Sequence, residues 1–134
     1  MRTTSFSNHF FSIGFNYTAQ GRIALAELNY PVAHLHLTNA LRVLWDAGYK
    51  WRVSYPLVYI VQMFADQNEL DRAIEILAFI YDHLYEQTRE LANTLRHNIK
   101  AIMEPERFAA AWAHGQRREL SAVVNELLQE LGEE

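Results

Sequence analysis

The sequence predicts an all-α fold of about six or seven helices arranged as antiparallel hairpins. Apolar residues recur three and four positions apart along almost the whole chain, and the alternation typical of strands is absent. Pro31, Pro105, Gly48 and Gly115 lie where helices should begin or end. Linkers of only a few residues make consecutive helices antiparallel neighbours.

The first hairpin is predicted over about residues 7–47. Its first helix ends at the Asn29–Tyr30 turn, and Pro31 suits the first turn of the next helix because no N–H is needed there. Gly48 follows the second helix, and glycine is the usual residue just beyond a helix C-terminus.

The second hairpin is predicted over about residues 51–85. Pro56 leaves two alternatives for its first helix. Either the helix begins near Ser54 with Pro56 in its first turn, or a longer helix is kinked at Pro56. The polar residues 66–69 predict the turn to the second helix of this hairpin.

Closing helices are predicted over about residues 87–131. One carries an apolar stripe through Leu95 and Ile99, a short one begins at Pro105 and ends at Gly115, and the last is amphipathic. Nothing along the chain reads as a low-complexity linker, so residues 1–134 are predicted to form a single domain.

Composition excludes several classes of function. The chain has no cysteine, which rules out disulfides, thiolate zinc sites and cysteine nucleophiles. No apolar run approaches the roughly 20 residues of a membrane span, and the first ten residues do not resemble a signal peptide. We therefore expect a cytoplasmic protein without a membrane partner. Residues 1–60 hold five basic and two acidic residues, too dispersed for a nucleic-acid site.

An internal repeat emerges when the chain is aligned with itself. Placing Ala33 over Ala73 also places Asn29 over Glu69 and Leu37 over Leu77, an offset of 40 residues. The first unit resembles a tetratricopeptide repeat, which has small residues where its two helices cross and a large apolar residue facing the next hairpin. The matching positions are Gly21, Ala33, Leu37 and Ala40. The second unit departs from that pattern at Val61 and Ile80.

This resemblance implies a short right-handed solenoid that binds a protein or peptide and has no catalytic activity. In that family the first helix of each hairpin lines the partner groove. Carried over to this chain, the groove residues are Phe15, Thr18, Arg22, Leu25, Tyr55, Val58 and Gln62. Aromatic and arginine side chains are common anchors in such interfaces.

A second resemblance concerns residues 106–115 and the helix that follows them. This segment is similar to the end of the helical-repeat sensor region in bacterial signal-transduction ATPases and related transcriptional activators. The chain has no Gly-x-x-x-x-Gly-Lys-Ser/Thr loop, so the resemblance implies a sensor module without the NTPase. An alternative function that this resemblance allows is a small-molecule sensor that uses a cleft between hairpins.

No pattern of residues indicates catalysis or a metal. His34 and His36 are two positions apart, about 200° on a helix, and cannot share an ion. Glu126 and Glu130, with the two glutamates that end the chain, are expected on a solvated helix face. The serines form no nucleophile-elbow pattern. We therefore expect no enzyme and no cofactor.

The aromatic residues of the first helix suggest self-association. They make the helix apolar over much of its circumference, and no earlier hairpin in this sequence would cover its outer face. The alternative hypothesis is a homodimer through Phe6, Phe10 and Phe11, unless the segment belongs to a longer array.

Overall fold

The structure, a computed structural model, describes the backbone of residues 2–132 and the side chains of residues 9–131. Within those ranges the chain forms seven α-helices and no strand, which confirms the predicted all-α class. The helices are α1 (Arg2–Ala26), α2 (Tyr30–Asp46), α3 (Ser54–Asp66), α4 (Leu70–Ile80), α5 (Glu86–Ile102), α6 (Pro105–Gln116) and α7 (Leu120–Gly132). None of the helices described there has the length and apolar content needed to cross a bilayer.

Helices α1 and α2 pack along each other at very short distance. A Cβ atom added to Gly14 would lie 2.5 Å from Leu44 Cγ, and one added to Gly21 would lie 2.6 Å from Leu37 Cδ2. Only glycine leaves room for these two leucines, which are almost fully buried. Gly21 was predicted at the helix crossing, whereas Gly14 was not.

The turns inside the first two hairpins have the same backbone conformation. Leu28 and Asn68 both have positive φ, at 59° and 64°. The next residue in each turn donates a 2.8 Å hydrogen bond back to the preceding helix, from Asn29 N to Ala24 O and from Glu69 N to Phe64 O. These are Schellman-type helix ends. The 40-residue offset found in the sequence is therefore also an offset between equivalent turns.

The helix ends follow from local chemistry. The Asn29 side chain accepts a hydrogen bond from Val32 N at 3.4 Å, which caps α2, and Gly48 ends the helix with φ at 86°. A 3₁₀ turn over Trp51–Val53 leads into α3, so that Pro56 is the third residue of an unkinked start. The first of the two predicted alternatives is therefore correct.

The second hairpin ends earlier than predicted. Helix α4 stops at Ile80 and gives way to a 3₁₀ turn over Tyr81–His83, and the chain is extended at Leu84 and Tyr85 before α5 begins. The apolar pattern alone could not mark this end, because Tyr81 and Leu84 continue it with side chains that also pack on the core.

The last three helices do not simply continue the row of hairpins. Helix α5 packs on α3 and α4, α6 packs on α4, and α7 returns to α2. Gly115 does not end α6, as the sequence suggested, but lies within it. A Cβ there would come 2.1 Å from the Glu75 carbonyl oxygen, so glycine permits backbone contact between α6 and α4.

Helix α7 is attached to α2 and α4 by polar contacts at its edges. Arg118 bridges Glu75 at 3.1 Å and Glu126 at 2.7 Å. Arg72 of α4 pairs with Glu130, and a ring nitrogen of His34 lies 2.8 Å from the Leu131 carbonyl oxygen. One cluster of buried apolar side chains includes members of all seven helices, so the first hairpin and the last helix share a core.

Candidate functional site

Aromatic and arginine side chains from α1, α3 and the segment before α5 form one surface. Its members project from α1, from the 3₁₀ turn and the first turns of α3, and from the extended chain ahead of α5. We call it the aromatic–arginine surface and define it as Phe11, Phe15, Arg22, Arg52, Tyr55, Tyr59 and Tyr85. A cleft of about 40 Å³ between Phe11, Phe15, Arg52 and Tyr55 opens at its centre.

Arg52 is held at this surface by ring faces. Its guanidinium carbon lies 4.3 Å from the centroid of Phe11 and 5.6 Å from that of Tyr85. Cation–π contacts of this kind fix the position of a guanidinium without neutralising its charge. Among the side chains of residues 9–131, no carboxylate forms an ion pair with Arg52.

Arg22 is held in a similar way on the next part of the surface. It donates a long hydrogen bond of 3.5 Å to the Tyr55 hydroxyl, and its guanidinium carbon lies 5.6 Å from the Tyr59 centroid. The hydrogen bond with Tyr55 is the main reason that the pKa of this exposed arginine is raised further above its already high ordinary value. No described carboxylate pairs with it either.

The aromatic rings form a continuous row beneath the two cations. Phe15 stacks on Tyr55 with centroids 5.0 Å apart, and Tyr55 meets Tyr59 edge to face at 5.7 Å. Phe11 contacts Phe15 at 6.1 Å. Phe15 nevertheless remains 38% exposed. The surface therefore offers an accessible apolar edge between two fixed positive charges.

The structure divides the seven groove residues predicted from the resemblance. Phe15 and Arg22 are exposed and Gln62 is half-buried, whereas Tyr55 is only 7% exposed and supports the surface through its contacts with Phe15 and Arg22. The other three, Thr18, Leu25 and Val58, are buried and cannot offer their side chains to a partner.

The reason for this correction is the direction in which α1 packs. Thr18 and Leu25 lie on the same stripe as Gly14 and Gly21, which faces α2. The Thr18 hydroxyl donates to the Gly14 carbonyl oxygen at 2.9 Å, so even its polar atom is used within the helix. Val58 lies in the core of the second hairpin.

Sequence reasoning missed three members of the surface, namely Arg52, Tyr59 and Tyr85. Arg52 lies in a 3₁₀ turn and Tyr85 on an extended segment, so helical periodicity could not place either of them. The density of aromatic and basic residues between positions 49 and 59 was the available signal.

The residues predicted to mediate self-association lie on two different sides of α1. Phe11 packs against Arg52 and Tyr49 on the α3 side, and Phe10 borders a cavity lined by Val43 of α2. Both are half-buried within their own chain. The side chain of Phe6 lies outside the described residues.

The two neighbouring histidines have separate environments. His34 contacts the Leu131 carbonyl oxygen, while His36 stacks on Tyr17 with centroids 6.1 Å apart. In the part of the chain that the structure describes, no three histidine, aspartate or glutamate residues are grouped so as to hold a metal ion.

Comparison with known proteins gave no match to a family model, to a curated protein or to a solved structure. The class of protein is therefore defined by the chain's own features. It is an all-α protein of helical hairpins that presents an aromatic surface with two arginines.

Proposed function

We propose that this protein is a non-catalytic interaction module of the tetratricopeptide-repeat kind, in which the hairpins α1–α2 and α3–α4 are two units of a short right-handed solenoid. Three features support the proposal. Gly21 lies against Leu37 at the helix crossing, Ala33 and Ala73 are fully buried at equivalent positions, and the hairpin turns repeat at an offset of 40 residues. The first helices of the two units then carry the partner surface.

The partner is an acidic peptide with an aromatic or large aliphatic anchor. The observation that carries this choice is the contrast between two sets of arginines. Arg72, Arg107 and Arg118 each pair with a carboxylate, whereas Arg22 and Arg52 pair with none of the described carboxylates and lie on the rings of one shared surface. Arg96 also lies on ring faces without a described carboxylate, but over Tyr81 and Trp112, which do not belong to this surface. Carboxylates of the partner would form ion pairs with Arg22 and Arg52, and the anchor side chain would pack on the exposed edge of Phe15.

The second sequence resemblance favours a cytoplasmic role as the sensor or adaptor part of a bacterial signalling or regulatory system. A protein of this kind takes part in transcription regulation or signal transduction by presenting its groove to another protein. The proposal assigns no reaction to the chain itself.

Selection from a random-peptide display library tests the proposed specificity. The expected consensus contains two acidic residues flanking an aromatic or leucine anchor, since the two guanidinium groups lie on either side of Phe15 and Tyr55. Affinity of a selected peptide would be measured by fluorescence anisotropy. Arg22→Glu and Arg52→Glu are each expected to weaken it at least about tenfold through charge reversal in a partly desolvated contact.

Arg117→Glu is the matched control, because Arg117 is an exposed arginine at the end of α6, away from this surface. It should leave the peptide affinity unchanged. Selected peptides without acidic residues, or equal losses in all three variants, would contradict the proposal. If no peptide is selected and the chain sediments as a dimer that Phe11→Asp dissociates, homodimerisation through α1 replaces it.

A further inference from the structure

A second cavity lies where α2, the end of α3 and the end of α7 meet. Its volume is about 550 Å³, within the range of sites that hold small molecules. It shares no residue with the aromatic–arginine surface. It is lined by Tyr30, Pro31, His34, Leu35, Thr38, Asn39, Arg42, Met63, Gln67 and Leu131.

One wall of this cavity is a single stripe of α2. Leu35, Asn39 and Arg42 are spaced by four and three residues, which places them on the same helix face. The wall therefore changes along its length from an apolar side chain through an amide to a guanidinium. Across the cavity, Gln67 supplies a second amide, and Met63, which is 2% exposed, contributes only the edge of its side chain.

Arg42 is the one permanent cation among the lining residues of the cavity, and the Asp66 carboxylate lies next to the cavity, where it accepts a hydrogen bond from the lining residue Tyr30 at 3.3 Å. The chain carries a formal net charge of −4, yet none of the ten lining residues is acidic. Arg42 is exposed, and no carboxylate among the side chains of residues 9–131 forms an ion pair with it. A guanidinium with free donors beside two amides is suited to binding a carboxylate.

Two further lining residues of the cavity are a histidine that contacts α7 and a threonine with an unpaired hydroxyl. His34 reaches the Leu131 carbonyl oxygen of α7 at 2.8 Å. Thr38 is 4% exposed, and its Oγ1 atom has no hydrogen-bond partner. A buried hydroxyl without a partner is unfavourable, so an acceptor on a bound molecule would improve the site.

We propose that this cavity binds a small monocarboxylate with an apolar body. The carboxylate group lies at Arg42, with the amide groups of Asn39 and Gln67 as further donors. The apolar body packs between Leu35, Met63 and Leu131. This site is independent of the peptide surface, and its occupant touches α2, α3 and α7 together, so binding stabilises the attachment of α7.

Hexanoate and phenylacetate, with their uncharged amides as matched probes, test the proposal on the full chain. Saturable changes in the amide NMR spectrum are expected at Leu35, Asn39 and Leu131, with a rise in melting temperature. The two amides, hexanamide and phenylacetamide, should bind at least about tenfold more weakly, because a hydrogen bond to a charged group contributes more than a neutral one.

Variants separate this site from the rest of the molecule. Arg42→Gln should weaken carboxylate binding at least about tenfold while leaving the weaker amide binding unchanged. Asn39→Phe fills the cavity and should abolish both. Arg117→Gln and Arg52→Gln should have no effect, the second because it changes the peptide surface only.

Three results would overturn the proposal. These are the absence of saturable binding for both carboxylates at millimolar concentration, equal affinity of acids and amides, and unchanged binding in Arg42→Gln. The NMR spectrum of each variant shows whether it is folded, so that a loss of binding is not confused with unfolding.

Discussion

At the scale of single residues, Leu28 has the most unusual backbone conformation. It has positive φ and a side chain that is 68% exposed. A leucine in the left-handed region is unfavourable by about 1–2 kcal/mol, because its Cβ approaches the following carbonyl oxygen. The equivalent residue in the second hairpin is Asn68, which tolerates this region better.

Leu28→Gly is therefore expected to stabilise the protein by about 1 kcal/mol, since it removes the strain and little buried surface is lost. Urea unfolding followed by circular dichroism measures the change. Asn68→Gly is the matched control and should change the stability by less. A destabilised Leu28→Gly protein would mean that the leucine side chain makes contacts that offset the strain.

The pKa of Tyr59 is sensitive to Arg22, its neighbour in the proposed peptide surface. Burial raises the pKa of its phenol above the ordinary value of 10.0, and the charge of Arg22 lowers it in part. Because the folded pKa exceeds the unfolded one, Tyr59 contributes stability below about pH 10. That contribution is lost as the pH rises through the folded value.

Removing the charge in Arg22→Gln should raise the pKa of Tyr59 further. The titration can be followed by NMR of the tyrosine ring or by tyrosinate absorbance. Tyr30 is an internal control, because desolvation and Asp66 raise its pKa and Arg22 is not among the causes. A lower pKa of Tyr59 in the variant would show that Arg22 does not act on this phenol.

At the scale of elements, glycines set how closely the helices approach one another. A methyl group at Gly21 would meet the flexible end of the Leu37 side chain, whereas one at Gly115 would meet the Glu75 carbonyl oxygen. A side chain can move by a rotamer change, but a helix backbone moves only with its whole element.

Gly21→Ala should therefore lower the free energy of unfolding by about 1–2 kcal/mol, after the gain in helix propensity is included. Gly115→Ala should lower it by about 3 kcal/mol or more, because α4 and α6 must separate. Chemical denaturation of the two variants shows which of them loses more free energy of unfolding. Equal losses would show that the α4–α6 contact adapts as easily as the α1–α2 contact.

A double-mutant cycle provides the control for Gly21. In a Leu37→Ala background the leucine that would clash with the new methyl group is gone. The same Gly21→Ala change should then be neutral or stabilising by up to about 1 kcal/mol. A loss as large as in the parent would place the steric conflict elsewhere.

At the scale of the whole molecule, α7 joins the C-terminal part of the chain to the first hairpin through α2. Val124 and Leu127 of this helix are buried in the cluster that also contains residues of α2 and α4. We expect α7 to unfold together with the rest of the domain, and not as a separate unit, because its removal would expose that shared core.

Leu127→Ala should lower the free energy of unfolding by about 2–5 kcal/mol and shift the unfolding transition equally for every spectroscopic probe. Tryptophan fluorescence and far-ultraviolet circular dichroism should give one coincident transition, since Trp45, Trp51 and Trp112 lie outside α7. Asn125→Ala, an exposed change on the same helix, should have little effect. A fluorescence transition unmoved by Leu127→Ala would contradict the shared core.

Much of the fold was accessible to sequence reasoning because its signals are local. Pro31, Gly48 and Pro105 act through their own φ angles or missing N–H groups, and helix boundaries followed from them. The error at Gly115 has the same origin. A glycine can end a helix or permit a close contact, and only the position of α4 distinguishes the two roles.

The candidate sites were less predictable because they depend on which faces are covered. Thr18 and Val58 have the spacing expected of groove residues, but close packing buries both. Arg52 became part of the surface because the 3₁₀ turn ahead of α3 places it beside Phe11. The cavity at Arg42 is lined by α7 at Leu131, because α7 returns to α2.

The sequence by itself determined the all-α class, the helix boundaries at Pro31, Gly48 and Pro105, and the 40-residue offset between equivalent turns, since periodicity, proline, glycine and capping act within a few residues. The tertiary structure decided where α5, α6 and α7 pack, and hence which side chains remain accessible. The physical reason is that the apolar stripe of an amphipathic helix specifies burial but not the partner that provides it.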